Sequence, residues 1–210
     1  MKRFALIGGG GFSKEVAEII ALNGNSVAGY FATEEGILKH PYLGPMDNIN
    51  KCRDRFDCVA IAFGSVDRKS SVNRYQVIEW MRKQDVSCPA VISPYATCSA
   101  GVVIADGVFV AHGVVISVDA KIGSFTILNS SAIIGHDASI GSNVVVAPGA
   151  FVGGNTQIGD SSLLGPGTMT LEGRKIGHSV VVGVGATVVR NVPDGATVMP
   201  IRSKVLSASA

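Results

Sequence analysis

From Ile92 onward, an aliphatic residue returns at every sixth position. Ile104, Val110, Ile116, Ile122, Leu128, Ile134, Ile140, Val146, Val152, Ile158, Leu164, Ile176, Val182 and Val188 share that register, which only Cys98 and Thr170 interrupt. Neither the 3.6-residue period of a helix nor the two-residue alternation of a strand gives this spacing. The following residue is nearly always small (Gly123, Gly135, Gly141, Ala147, Gly153, Gly159), and the fourth is small or β-branched (Val108, Val114, Ala120, Thr126, Ala132, Ala138). A sustained fixed period marks stacked repeats that bury a continuous core. The pattern predicts a parallel β-helix in which each hexapeptide supplies one short strand and a turn. The aliphatic side chain points inward, and glycine stands where a Cβ would clash. With three hexapeptides per triangular coil, roughly five to six coils run from residue 92 to 193.

The first 88 residues lack this repeat. Phe4-Ala5-Leu6-Ile7, Val27 to Phe31 and Cys58 to Phe63 read as buried strands. Val16, Ile19 and Ile20 mark a helix over 13–22, and Val72, Tyr75, Val77, Ile78 and Met81 a second buried helical face. Strands alternating with helices predict a small α/β domain with a parallel sheet, a Rossmann-like half. The division is therefore 1–88 and 89–210.

Composition narrows the function classes. The mean hydropathy of +0.36 is high, yet no apolar run reaches the length of about 18 residues that a spanning helix needs. Met1-Lys2-Arg3 and a short apolar run do not make a signal peptide, so a cytoplasmic protein is expected. Cys52, Cys58, Cys88 and Cys98 are irregularly spaced and indicate neither a disulfide framework nor a zinc site. A net charge of +2 without a basic block leaves no nucleic-acid footprint. Only nine of the 34 charged residues lie between 92 and 193. Outer faces so poor in charge predict self-association.

Two constellations could carry chemistry. Gly8, Gly10 and Gly11, with Phe12 and Ser13, follow the first strand and open a helix, where backbone N–H groups attract a phosphate. The dinucleotide fingerprint is incomplete, because Ser13 fills the third glycine place and Glu34 and Glu35 come late after the second strand. A ligand-free turn also fits. In the repeats, His112, His136 and His178 each stand two places after an inward aliphatic, on three different sides of the prism. Each also fits a solvated turn. His136 differs in its neighbours, with Asp137 adjacent, Asn129 at a normally small position, and Gly154 one full coil later. Adjacent residues of a strand tend to face opposite ways, which weighs against an Asp137–His136 pair.

The stretch Ile134-Gly135-His136-Asp137-Ala138-Ser139-Ile140-Gly141, preceded by Asn129-Ser130-Ser131, resembles the active-site region of nucleotide-sugar N-acetyltransferases of the hexapeptide-repeat superfamily. Gly8 to Ile20, Ala60 to Arg68 and Val192 to Gly195 extend the likeness over nearly the whole chain. Acetylases of UDP-, dTDP- and GDP-linked 4-amino-sugars belong to this family, with sialic acid O-acetyltransferases as relatives.

The resemblance implies a left-handed β-helix, a homotrimer, acetyl-CoA as co-substrate and no metal. It implies N-acetylation of a dTDP- or UDP-linked 4-amino-4,6-dideoxy-sugar for a surface glycan such as O-antigen; the alternatives are sugar O-acetylation of the sialic acid type and a non-catalytic binding β-helix. A histidine suits the removal of a proton from an attacking amine. In this reading His136 is the base, Asp137 or a backbone carbonyl orients it, Asn129 bonds the histidine or the sugar, and the Gly154 N–H meets the oxyanion. Arg190, Arg202 and Lys204 would reach coenzyme A, and Gly8, Gly10, Gly11, Phe12, Ser13, Glu34, Glu35, Phe63 and Gly64 the nucleotide sugar. The chain departs from many relatives at Phe12 and Val145, where they carry histidine.

Overall fold

The computed structural model describes residues 1–200. The chain begins with β1 (Arg3–Ile7), α1 (Gly11–Leu22), β2 (Ser26–Phe31), a 3-10 segment (Met46–Arg55), β3 (Cys58–Ile61) and α2 (Arg68–Arg82). The three strands form a parallel sheet in the order β2-β1-β3. Successive strand residues face opposite sides. Phe4 and Leu6 accordingly pack toward α1 and the repeats, whereas Ala5 and Ile7 join Ile49, Ile78 and Met81 on the other side. Burial of both faces explains why β1 and β3 read as unbroken apolar runs.

The repeats then give eighteen two-residue strands, from Val91–Ile92 to Thr197–Val198, in parallel sheets of seven, six and five. Residues eighteen apart pair, as in Ile127 with Val145 and Ile133 with Phe151. The six-residue register holds through Val188, and its residues from Val110 on are buried. The last coil is two residues shorter, so Thr197 pairs with Val181.

Glycine serves two separate purposes in the turns. A Cβ on Gly159 would stand 2.6 Å from the His178 nitrogen in the coil above, so close stacking excludes a side chain there. The left-handed turn residue lies two places further on. Asp119, Asp137, Asn143 and Asn155 occupy it as well as Gly149 and Gly167, because short polar side chains tolerate that conformation.

The three outer faces differ in what covers them. On the first, Phe109, Ile127, Val145 and Leu163 are buried beneath the α/β region. Phe12 meets Phe109 edge to face at 4.9 Å, and Asn23 Nδ2 donates to the Ile92 carbonyl at 2.8 Å. On the second, Val115, Ile133, Phe151 and Met169 form an exposed apolar row. The third presents Lys121, Ser139, Gln157 and Lys175 to solvent.

The expected inner face of α2 is corrected by the structure. Val72 and Tyr75 are exposed, and the buried set is Ser71, Arg74, Ile78 and Met81. The helix lies along a solenoid corner whose surface is turn backbone, so a hydroxyl and a guanidinium fit where aliphatics would leave carbonyls unpaired. Ser71 Oγ donates to the Ser161 carbonyl at 3.1 Å. Fully buried Arg74 donates to the carbonyls of Phe63 (3.0 Å) and Phe125 (2.7 Å) and to Asn143 Oδ1 (2.6 Å).

Candidate active site

The three corner histidines have different surroundings. His112 Nδ1 lies 2.6 Å from Ser93 Oγ, and its Nε2 lies 3.9 Å from Glu18 Oε2 on α1. A serine, a histidine and a carboxylate in line suggest a nucleophile, but Ser93 is only 2% exposed and its oxygen also accepts from the Tyr95 N–H. The hydroxyl is therefore already engaged in its turn, and the exposed Glu18 carboxylate stands too far from the ring for a hydrogen bond. His178 belongs to a ladder at the corner between the third and first faces. Ser142 N–H donates to Asp160 Oδ1, Asp160 N–H to His178 Nδ1, and His178 N–H to Asp194 Oδ1, at 2.7–3.0 Å. Each side chain caps the turn of the coil before it.

His136, at the corner between the second and third faces, caps nothing. Its side chain is about half exposed, and Nδ1 lies 2.8 Å from Asp137 Oδ2. The left-handed conformation of Asp137 (φ 55°) lets neighbours that would diverge on a strand meet. With Asp137 as acceptor, Nδ1 carries the proton and Nε2 keeps its lone pair. The hydrogen bond to Asp137 holds the pKa of His136 above the ordinary histidine value. Slight desolvation opposes this, and the charges of Asp137 and Glu172 reinforce it.

Gly154 lies directly above this ring, and a Cβ there would stand 2.6 Å from Nε2. A side chain at that position would displace the imidazole from this place. Among the described residues the Gly154 N–H has no hydrogen-bond partner, unlike the capped turns of the His178 ladder. A free N–H beside a basic nitrogen can receive charge that develops on an oxygen while the nitrogen accepts a proton. Glu172 and Arg190 follow in the same column at intervals of one coil, both exposed. Glu172 was not anticipated, although its spacing of 18 from Gly154 was available in the sequence. Lys204 and Arg202 lie outside the described residues.

Asn129 is not joined to His136 within one chain. It stands at the corner between the first and second faces, and its Nδ2 donates to the Val146 carbonyl at 3.2 Å. Val145, where many relatives carry histidine, is buried beneath the α/β region. Its apolar side chain belongs to the packing there.

The glycine loop crosses the carboxyl ends of the strands. Gly10 and Gly11 face open space, and α1 starts at Gly11 without a side-chain cap. The segment holding Glu34 and Glu35 folds back over the loop through Ile37 N–H to the Gly9 carbonyl at 2.9 Å, leaving both carboxylates exposed. Two of the side chains expected at the sugar nucleotide are engaged within the chain. Ser13 is fully buried and donates to the Ala62 carbonyl at 3.0 Å, so its hydroxyl fastens α1 to the end of β3. The Phe12 ring is taken up by Phe109. The Phe63 carbonyl is held by Arg74, and Gly64 lies exposed against Ile127. Among the described residues no cluster of three or more His, Cys, Asp or Glu side chains is placed to hold a metal ion.

Residues 119–154 match the family described as bacterial transferase hexapeptide (six repeats), and residues 3–75 match the PglD N-terminal domain. The structural neighbours are sugar N-acetyltransferases of the left-handed β-helix superfamily, and the fold described above is theirs. No curated protein matches it by sequence. Among solved structures, it is similar to a histidine-to-asparagine variant of perosamine N-acetyltransferase from Caulobacter crescentus in complex with CoA and GDP-perosamine. Identity is 28% over 97% of this chain and 96% of that one, with a TM-score of 0.88. It is similar also to the acetyltransferase domain of PglB from Neisseria gonorrhoeae (29%, 95% and 97%, TM-score 0.86). WeeI from Acinetobacter baumannii gives 28%, 92% and 94%, with a TM-score of 0.80. The PglB domain has also been solved with acetyl coenzyme A.

Proposed function

We propose that this chain is an acetyl-CoA-dependent N-acetyltransferase acting on the 4-amino group of a nucleotide-linked 4-amino-4,6-dideoxy-sugar destined for a surface glycan. The observation that carries the reading is His136, whose half-exposed ring packs against Gly154 while Asp137 holds Nδ1. The amine attacks the thioester carbonyl, Nε2 takes its proton, the Gly154 N–H steadies the oxyanion, and the coenzyme A thiolate departs. Residues 1–88 serve as the sugar-nucleotide unit and 89–210 as the transfer unit, in the cytoplasm where acetyl-CoA is supplied. The carrier is dTDP or UDP, with GDP added to the test because a relative binds GDP-perosamine.

Purified protein is expected to release free coenzyme A thiol from acetyl-CoA with one member of a UDP-, dTDP- and GDP-linked 4-amino-sugar panel. The matched 4-hydroxy sugars should turn over at least about tenfold more slowly, since a neutral hydroxyl is the poorer nucleophile. Preference for the hydroxy sugars would replace this reading with O-acetylation. No turnover and no thermal shift with any ligand would leave a non-catalytic β-helix.

The active form in this proposal is a homotrimer. The glycine loop and Asn129 lie toward the first face, whereas His136 stands across the width of the second, so one copy alone separates sugar loop from base. Packing against the apolar second face would bring His136 of the partner subunit to that loop, with acetyl-CoA along the groove and Arg190 near its phosphates. Phe151→Glu puts a charge into this row. By sedimentation it is expected to convert a species of three 21.7 kDa chains into one. A wild-type monomer, or an unchanged F151E assembly, would refute the interface.

A further inference from the structure

The loop after β3 holds an unexplained group. Ser65 is 8% exposed, and its Oγ is buried without a hydrogen-bond partner. Its neighbours Gly64 and Val66 are both exposed, so the loop reaches the surface on either side of an enclosed hydroxyl. Leaving such a hydroxyl unpaired is costly in the free protein, and native structures carry few such groups.

Its place in the fold is informative. In the order β2-β1-β3, the chain leaves β1 through α1 to β2 on one side and later returns to β3 on the other. The crevice beyond the carboxyl ends of β1 and β3 is thus a topological switch point, where open α/β sheets bind ligands. The glycine loop leaves the carboxyl end of β1 and the segment Ala62 to Ser65 that of β3, tied to α1 by Ser13 Oγ to the Ala62 carbonyl and to α2 by Arg74 to the Phe63 carbonyl.

One other buried hydroxyl is unpaired among the described residues, that of Thr168. It is fully buried on the inward ring of the solenoid, where equivalent Thr126 and Thr156 donate to carbonyls. No ligand can reach it there. Ser65 differs because exposed loop residues flank it at the switch point.

We propose that Ser65 is a specificity residue for the sugar nucleotide, its Oγ–H donating to an oxygen of the sugar diphosphate bound between the glycine loop and the β3 loop. This inference rests on the sugar-nucleotide reading above. The free enzyme carries an unpaired donor that only the bound anion satisfies, so affinity is gained at the expense of stability.

The test compares wild type, Ser65→Ala and Thr168→Val with acetyl-CoA and the sugar nucleotide that the wild type uses. S65A is expected to raise KM for the sugar nucleotide about ten- to a hundredfold, the worth of a hydrogen bond to a charged group. Its kcat and its KM for acetyl-CoA should stay within about twofold, and its Tm should equal or exceed that of wild type. T168V should leave both KM values unchanged. An unaltered sugar-nucleotide KM in S65A would overturn the proposal, as would a lowered Tm with both KM values raised together, which would make the hydroxyl structural. Lack of wild-type turnover with every sugar nucleotide would instead overturn the reading on which the proposal rests.

Discussion

His136→Ala is expected to lower kcat about 10²- to 10⁴-fold, the range for loss of a positioned general base. The thermal shift produced by coenzyme A should persist, because the imidazole acts on the proton of the amine. The pH profile gives a second readout with a definite sign. The base works only when unprotonated, and Asp137 raises the pKa of His136. The acid limb of kcat/KM should therefore have its midpoint above the ordinary histidine value of about 6.5. Asp137→Asn removes the charge that favours the imidazolium, so that limb should move to lower pH with a smaller loss in maximal rate. Near wild-type turnover in H136A would refute the base assignment. An unmoved limb in the asparagine variant would show that Asp137 does not tune it.

Arg74→Met should produce the largest loss of stability, on the order of 1–3 kcal/mol for each buried acceptor left without its donor. The methionine fills similar volume but leaves the Phe63 and Phe125 carbonyls and Asn143 Oδ1 without the donors they now have. Burial pushes the guanidinium pKa down to about 10, so it remains charged at neutral pH and its hydrogen bonds are charge-assisted. Arg74→Lys should recover only part of the loss, because an ammonium cannot reproduce the planar fork. Urea unfolding at fixed protein concentration measures both variants. A loss below about 1 kcal/mol in R74M would show that the carbonyls find other donors and that Arg74 does not join the two parts of the chain.

Much of the architecture was legible because its causes are local and repeated. A β-helix sets one inward position per hexapeptide, so Ile134, Ile140 and Val146 announce the coil in the same way wherever they occur. Coil arithmetic likewise placed His112, His136 and His178 at three corners and Gly154 above His136. The polar face of α2 was misread because helix patterning assumes an apolar partner, and the partner here is turn backbone that needs donors. Ser71 and Arg74 nevertheless share a helical spacing with Ile78 and Met81, so the signal was present and its meaning depended on what the helix met. The Asp137–His136 pair was likewise obscured. A rule for extended strands says neighbours diverge, and the left-handed turn at Asp137 reverses it.

The sequence by itself determined the solenoid, its coil length, the parallel α/β region before it and the column that holds His136 and Gly154. Periodic burial and the exclusion of Cβ atoms at close stacking are written residue by residue. Only the tertiary structure decided which histidine is free, since capping by Asp160, Ser93 and Asp194 depends on contacts between coils. It also decided what the side chains of Phe12, Ser13 and Val145 touch within the chain, Phe12 and Val145 because the α/β region covers the first face and Ser13 because it bonds the end of β3. The second face remains apolar and uncovered, and no periodicity distinguishes it from the first, because both carry the same outward pattern and differ only in what lies on top.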